Sequence, residues 1–292
     1  MFVFAVKFSE KKISSFLFRL LFSFILLTVH SSCSSTALNR NISTAFKIAD
    51  KNTFENYIYE TAKFNIFSFR RLAKTSGTIN IYIEGDGRSW IDRRTISPNP
   101  TPSDPTALKL AALDDSSNVL YLARPCQYVD LKFERNCSKQ TWTSHRYSSD
   151  VIEAYNEILN HLKKNNKDFT FNLIGHSGGG TVAVLVAANR NDIKSIRTLA
   201  ANLDHVALNR ERNVSQLEGS LNPINFAKKI NFLPQVHYQG KNDKVIPQWV
   251  AKKFVKFSNS SCVSSMSLIE VTHEDGWEDF WRSNYKNVPK CN

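Results

Sequence analysis

Ser177 lies in a stretch that is unusually rich in glycine for this chain. Residues 171–180 read FNLIGHSGGG, and four of the ten glycines of the 292-residue sequence fall within it. The residues before Ser177 are typical of a buried strand, and TVAVLVAANR at 181–190 is typical of a buried helix. A serine on a tight strand-to-helix turn has crowded neighbours, so glycine is needed at 175 and 179. The N-terminus of the following helix favours developing negative charge. Ser177 is therefore a candidate nucleophile.

A serine hydroxyl at neutral pH also needs a base to take its proton and a carboxylate to orient that base. The sequence GHSGG at residues 175–179 resembles the nucleophile elbow of the α/β-hydrolase family. The resemblance covers roughly residues 76–290, and it implies the chain order serine, then Asp or Glu, then His. It also implies a serine hydrolase that forms an acyl-enzyme.

Two residues match the acid and the base that this resemblance implies. Asp243 follows the predicted strand LPQVHYQG, and His273 follows the predicted strand segment SLIEV. We therefore predict Ser177 as nucleophile, Asp243 as orienting acid and His273 as base. Asp204, which follows the preceding strand, stays open as an alternative acid.

The resemblance further implies an oxyanion hole made of two backbone amides. One donor is the amide of Gly178, directly after the nucleophile. In EGDGRSW, Gly85 matches the glycine near the start of the family's oxyanion loop, so the resemblance implies the amide of Asp86 as the second donor. The amide of Gly87 is the alternative. The carboxylate of Asp86 is unusual in this place, and two explanations stay open: it pairs with Arg88, or it selects a cationic substrate. The residues expected to line a pocket are Gly85, Gly87, His176 and His205.

Strand-like and helix-like segments alternate along the chain, which predicts an α/β protein with a mostly parallel sheet flanked by helices. This agrees with an α/β-hydrolase fold, in which 203–232 leave room only for a small lid segment. Residues 34–75 are expected to be an N-terminal lead-in with aromatic-rich patches, and 76–292 the hydrolase domain. The predicted strands are 78–87, 118–125, 169–175, 196–202, 233–240 and 266–273, and the predicted helices are 148–164, 181–190 and 245–257.

Residues 1–33 are typical of a secretory signal segment. Three lysines precede LLFSFILLTV at 20–29, an apolar run shorter than a membrane-spanning helix. Cys33 follows where a bacterial lipoprotein signal carries its lipidated cysteine, although His30 departs from that pattern. The segment predicts export to the periplasmic side, with a membrane tether through Cys33. A membrane anchor that is kept is the alternative.

The other four cysteines suit an oxidising compartment, where they can form two disulfides. Proximity in sequence favours Cys126–Cys137 and Cys262–Cys291, one of three possible connectivities. Four buried free thiols are the alternative.

Charge and composition narrow the class of partner. The formal net charge is +12, but the basic residues are scattered, and the chain lacks zinc-finger spacing and RNA-binding aromatic signatures. We expect no nucleic acid, metal or cofactor, and a monomer that acts on a small ester or acyl substrate. Carboxylic-ester hydrolysis is the main functional prediction. The alternatives are a peptidase or acyltransferase of the same fold, and a non-catalytic surface binding protein.

Overall fold

A computed structural model describes residues 37–291 of the chain. The predicted signal segment at 1–33, with Cys33, lies outside the described residues. Within 37–291, no helix combines the length and the apolar character needed to cross a membrane.

Eight strands form a single sheet in the order β1-β2-β4-β3-β5-β6-β7-β8. The first two strands pair antiparallel with each other, and β2 pairs antiparallel with β4, whereas all pairs from β4 to β8 are parallel. The parallel strands therefore end at one common edge. The strand bounds are β1 Glu55–Glu60, β2 Asn65–Leu72, β3 Thr78–Ile83, β4 Asn118–Leu122, β5 Thr170–His176, β6 Ile193–Leu199, β7 Gln235–Gly240 and β8 Val263–Leu268.

Helices cover both faces of the sheet. Residues of α3, α4 and α6 share one buried cluster with Ile79, Ile81 and Ile83 of β3, whereas Tyr82 faces a second cluster built with α1, α2 and α7. This alternation is the two-residue period of a strand buried on both sides. The helices are α1 at 37–51, α2 Thr106–Leu113, α3 Ser149–Asn165, α4 Gly178–Ala187, α5 His205–Glu211, α6 Trp249–Ser258 and α7 Trp277–Asn284.

The predicted strands correspond to β3 through β8, and the three predicted helices correspond to α3, α4 and α6, with bounds that differ by up to five residues. The largest difference is at the predicted strand 266–273, because β8 ends at Leu268 and 269–273 form a loop. Capping and charge at the helix ends explain why the bounds of α3 were predicted closely. The side chain of Ser148 caps α3 by accepting a hydrogen bond from the amide of Val151, and Lys163 and Lys164 lie in its last turn. Both predicted disulfides, Cys126–Cys137 and Cys262–Cys291, are present.

Residues 37–75, the described part of the predicted lead-in at 34–75, carry more structure than the sequence indicated. They contain α1 and the two antiparallel strands β1 and β2, which extend the sheet beyond β4. The aromatic-rich patch of this segment explains why: Phe67 and Phe69 are buried, and the ring of Phe46 in α1 lies 5.8 Å and 5.3 Å from theirs. Between β6 and β7, the region expected to hold a small lid contains α5 and a short 3₁₀ turn at Pro223–Phe226.

Candidate active site

Ser177 lies on the turn between β5 and α4 in a strained backbone conformation. Its φ is +50° and its ψ is −121°, a region that non-glycine residues rarely occupy. The neighbouring glycines are required by close backbone contacts. A Cβ added to Gly175 would lie 2.3 Å from the carbonyl of Gly179, and one added to Gly179 would lie 2.0 Å from the carbonyl oxygen of Ile83. The turn can therefore form only without side chains at these positions.

The structure brings Ser177, His273 and Asp243 into one hydrogen-bonded line. The Oγ of Ser177 lies 3.0 Å from Nε2 of His273, and Nδ1 of His273 lies 2.9 Å from Oδ2 of Asp243. Each residue follows the C-terminal end of a different parallel strand: Ser177 comes directly after β5, and His273 and Asp243 lie on the loops after β8 and β7. This is the hydrogen-bond geometry by which a base removes a hydroxyl proton while a carboxylate fixes the tautomer of that base.

The carboxylate of Asp243 is held rigidly. Its Oδ1 accepts hydrogen bonds from the amides of Val245 at 2.7 Å and Ile246 at 2.8 Å, which leaves Oδ2 for His273. Burial acts to raise the pKa of Asp243, but the hydrogen bond from His273 and those from the two amides outweigh it and lower the pKa. Asp243 is therefore ionised at neutral pH.

Asp204, the alternative acid, contacts neither His273 nor Ser177. Its side chain caps α5 at the amide of Ala207 and accepts hydrogen bonds from Asn222 at 2.8 Å and Lys253 at 2.6 Å. These contacts give it a structural explanation as the residue that fastens α5 to α6.

The predicted oxyanion loop packs directly on the serine turn. A Cβ added to Gly85 would lie 3.5 Å from Cβ of Ser177 and 3.4 Å from the carbonyl oxygen of His176. No residue within 37–291 accepts a hydrogen bond from the amide of Asp86 or from that of Gly178. Both predicted donors are therefore free to bind a ligand next to Ser177.

The side chain of Asp86 does not pair with Arg88; it forms a buried network with residues that the sequence analysis missed. Its Oδ1 lies 2.8 Å from Nη1 of Arg124, and its Oδ2 lies 2.7 Å from Nη1 of Arg146 and 2.9 Å from the hydroxyl of Tyr147. Burial acts to raise the pKa of Asp86, but the charges of Arg146 and Arg124 dominate and lower it to about 2. Both oxygens are thus already occupied by donors of the protein itself.

The carboxylate of Asp86 also lies against the helix that follows Ser177. A Cβ added to Gly178 would lie 1.9 Å from Oδ1 of Asp86 and 2.9 Å from Nη1 of Arg124. Glycine at 178 therefore makes room for this charged network, which reaches the backbone of the nucleophile turn.

His176 contacts the loop that carries His273. Its Nε2 donates a hydrogen bond to the backbone carbonyl of His273 at 2.9 Å, and the indole N–H of Trp277 donates to the same carbonyl at 2.9 Å. Burial, assisted by the neighbouring His273, lowers the pKa of His176 to about 4, which keeps its ring neutral. The two donors fix the loop that carries His273.

Two other residues expected near the pocket do not contact the three aligned side chains. Gly87 adopts a φ of +62° and packs against the carbonyl of Pro100 and the side chain of Gln127. His205 is buried behind Tyr147, with the two rings 5.9 Å apart, and its Nε2 donates to the carbonyl of Leu221. Gly87 therefore shapes the oxyanion loop, and His205 supports Tyr147.

Glu84 is a buried carboxyl group at the base of the oxyanion loop. Its Oε1 accepts hydrogen bonds from the amides of Gly85 at 2.8 Å and Ala107 at 3.3 Å, and Tyr121 donates to its Oε2. Burial is the largest influence and raises its pKa to about 7. Glu84 therefore links the loop to the N-terminus of α2.

Comparisons with known proteins identify the fold. No protein-family model and no curated protein sequence matches the chain. Among solved structures, an α/β serine hydrolase homologue from Coxiella burnetii aligns with a TM-score of 0.53 and 14% identity, covering 79% of this chain and 96% of that one. The chain has the α/β-hydrolase fold.

Two further solved structures with this fold belong to different enzyme classes. An esterase from Pyrococcus furiosus is 13% identical, with a TM-score of 0.56, and the alignment covers 81% of this chain and 92% of that one. An acylaminoacyl peptidase from Pyrococcus horikoshii is 8% identical, with a TM-score of 0.54; 82% of this chain matches 42% of that one. At such identities the likeness describes the fold, and the reaction must be argued from the site itself.

Proposed function

We propose that the protein is a serine hydrolase that cleaves carboxylic esters through an acyl-enzyme. The observation that carries this proposal is the line from Ser177 Oγ through His273 to Asp243, with hydrogen bonds of 3.0 Å and 2.9 Å. In it, Ser177 is the nucleophile, His273 the general base and Asp243 the orienting acid.

The first half of the reaction acylates the serine. Ser177 Oγ attacks the ester carbonyl while Nε2 of His273 takes the hydroxyl proton, and Asp243 stabilises the imidazolium through Nδ1. The negative charge on the former carbonyl oxygen is met by the free amides of Gly178 and Asp86. Collapse of the tetrahedral intermediate breaks the bond to the alcohol oxygen, which receives the proton from His273.

The second half releases the acid and restores the enzyme. His273 removes a proton from water, the resulting hydroxide equivalent attacks the acyl carbon, and the two amides again hold the oxyanion. Ser177 leaves with the proton from His273. No step needs a metal or an organic cofactor, because the proton transfers return His273 and Ser177 to their starting states.

Loss of the nucleophile tests this proposal. Ser177→Ala should keep the melting temperature within a few degrees and lower ester hydrolysis by about 10³-fold or more. The assay is kcat/KM on 4-nitrophenyl esters of graded acyl length, combined with labelling by a fluorophosphonate probe. Wild-type protein that neither takes the label nor cleaves any ester would favour the non-catalytic binding protein.

A peptidase or acyltransferase of the same fold remains the second candidate. The observation that favours it is the shared fold with an acylaminoacyl peptidase, together with a nucleophile line that suits any acyl transfer. Labelling at Ser177 with turnover of N-acyl amino acid amides in preference to esters would decide for this candidate.

We also propose export to an oxidising compartment. The two disulfides support it, because such bonds persist mainly outside the reducing cytosol. Attachment through a lipidated Cys33 is the accompanying hypothesis. Mass spectrometry of the native protein from its own membrane fraction tests it, since an intact residue 1 or a free Cys33 thiol would contradict lipidation.

A further inference from the structure

The charged network beside Ser177 contains more positive than negative charge. Arg124 and Arg146 both bind the single carboxylate of Asp86, and each guanidinium donates a further hydrogen bond to a neutral backbone carbonyl. The depressed pKa of Asp86 leaves it fully ionised at neutral pH, so these three side chains carry a net charge of +1. A surplus charge in a largely buried place is unfavourable unless an anion compensates it.

Part of this network is exposed to solvent. Arg124 is almost fully buried, but the side chains of Arg146 and Asp86 keep 17% and 19% of their surface exposed. One oxygen of Asp86 lies against the backbone of Gly178, the residue after Ser177, and the other oxygen accepts a hydrogen bond from Arg146. These partly exposed side chains therefore lie close to the turn that carries Ser177.

The network is rigid before a ligand arrives. Nε of Arg146 donates to the carbonyl of Thr143, a guanidinium N–H of Arg124 donates to the carbonyl of Arg146, and Arg124 lies over the ring of Tyr147 at 5.3 Å. A guanidinium fixed in this way loses little entropy on binding, and its planar donors match the two oxygens of a carboxylate.

We propose that Arg146, supported by Arg124 and Asp86, forms a subsite for a carboxylate on the substrate, so that the preferred esters carry a negative charge close to the scissile bond. This inference rests on the proposed ester hydrolysis and adds its substrate class. The same arrangement explains why Asp86 does not select cations: its oxygens are occupied by Arg124, Arg146 and Tyr147, and the net charge repels a cation.

The exposed carboxylates near His273 do not belong to this subsite. Glu274 and Asp275 line a separate cavity of about 250 Å³, which they share with Lys109 and Arg282. Their exposure to solvent leaves them screened by salt, whereas the network around Asp86 is largely shielded.

The test compares three ethyl esters of similar size in a pH-stat: monoethyl succinate, ethyl butyrate and ethyl 4-aminobutyrate. The wild type should have its highest kcat/KM on the succinate ester and its lowest on the cationic ester. Arg146→Gln should lower the ratio of kcat/KM for succinate over butyrate by about 10- to 100-fold, mainly through KM, because a hydrogen-bonded charge is lost. Arg146→Lys should restore part of the ratio. Arg88→Gln, at an exposed arginine on the loop that carries Asp86, is the matched control and should leave the ratio unchanged.

Three outcomes would overturn the subsite: a wild type that prefers the cationic ester, an Arg146→Gln variant with an unchanged ratio, or an equal loss on all three esters, which indicates a structural role. If Arg146→Gln fails to fold, the kcat/KM ratios of Arg146→Lys and of the wild type still test the subsite. Calorimetry of succinate binding to Ser177→Ala needs no turnover. Binding there supports the subsite even if ester hydrolysis fails, and absence of binding together with absence of turnover on the succinate ester contradicts it.

Discussion

Replacement of Asp243 by asparagine isolates the role of the predicted orienting acid. The amides of Val245 and Ile246 donate to one carboxylate oxygen at 2.7 Å and 2.8 Å, and these bonds fix which end of the new side chain takes that place. The amide oxygen of Asn must accept them, so its NH₂ group must face Nδ1 of His273. Nδ1 then becomes an acceptor and the proton moves to Nε2.

This change of tautomer disables the base. With Nε2 protonated, His273 cannot accept the proton of Ser177 across their 3.0 Å hydrogen bond. The expected loss in kcat is about 10⁴-fold, the size that a wrong tautomer causes in a serine protease triad. The fold should persist, because the side-chain volume and the two amide bonds are kept. The assay is kcat on 4-nitrophenyl butyrate from pH 6 to pH 9, with the melting temperature measured in parallel.

Asp204→Asn is the matched control, since Asp204 is also a buried aspartate that follows a strand of the sheet. Its contacts are Lys253, Asn222 and the N-terminus of α5, so the variant should lose stability, by about 1 kcal/mol, rather than catalysis. The assignment would be refuted if Asp243→Asn kept more than a tenth of wild-type kcat, or if Asp204→Asn were the more damaging change.

Two further predictions concern stability. The pKa of Glu84 is about 7 in the folded protein, against 4.5 when the side chain is exposed, so this carboxyl stabilises the fold below pH 4.5 and the stabilisation is lost as the pH rises to 7. The free energy of unfolding of Glu84→Gln relative to the wild type should therefore rise by roughly 2 to 3 kcal/mol from pH 5 to pH 8 in urea unfolding; an equal difference at both pH values would contradict this. The double change Cys126→Ala with Cys137→Ala opens a loop of 11 residues and should cost about 3 kcal/mol; a melting temperature that matches the wild type in both reduced and oxidised buffer would show that the bond does not constrain the unfolded chain.

The sequence was sufficient to predict which side chains meet at the ends of the parallel strands. Ser177, Asp243 and His273 each follow a segment with a clear strand pattern, and parallel strands end at one edge of the sheet. Their approach in space therefore followed from topology. The glycines at 175 and 179 indicated the tight turn at Ser177, because only a crowded turn requires glycine at both positions.

The partners of Asp86 could not be predicted in this way. Arg124 and Arg146 lie 38 and 60 residues away in sequence, and Arg146 belongs to an irregular segment between a 3₁₀ turn and α3. No periodic pattern marks such a residue, so the nearby Arg88 was an equally plausible partner. The strands β1 and β2 were missed for a related reason: β2 is largely buried along its first half and does not show a simple alternation of polar and apolar residues.

The position of Asp86 links the two parts of the proposed mechanism. An acidic side chain next to a developing oxyanion should oppose catalysis, because like charges repel strongly where water is excluded. Here two guanidinium groups and the hydroxyl of Tyr147 bind that carboxylate, so the local charge is positive and the network does not repel an oxyanion. The same bonds hold the backbone of residue 86 in place, which keeps its amide free and beside Ser177. We therefore regard the carboxylate of Asp86 as the anchor that fixes an oxyanion donor on one side and presents Arg146 to the substrate on the other.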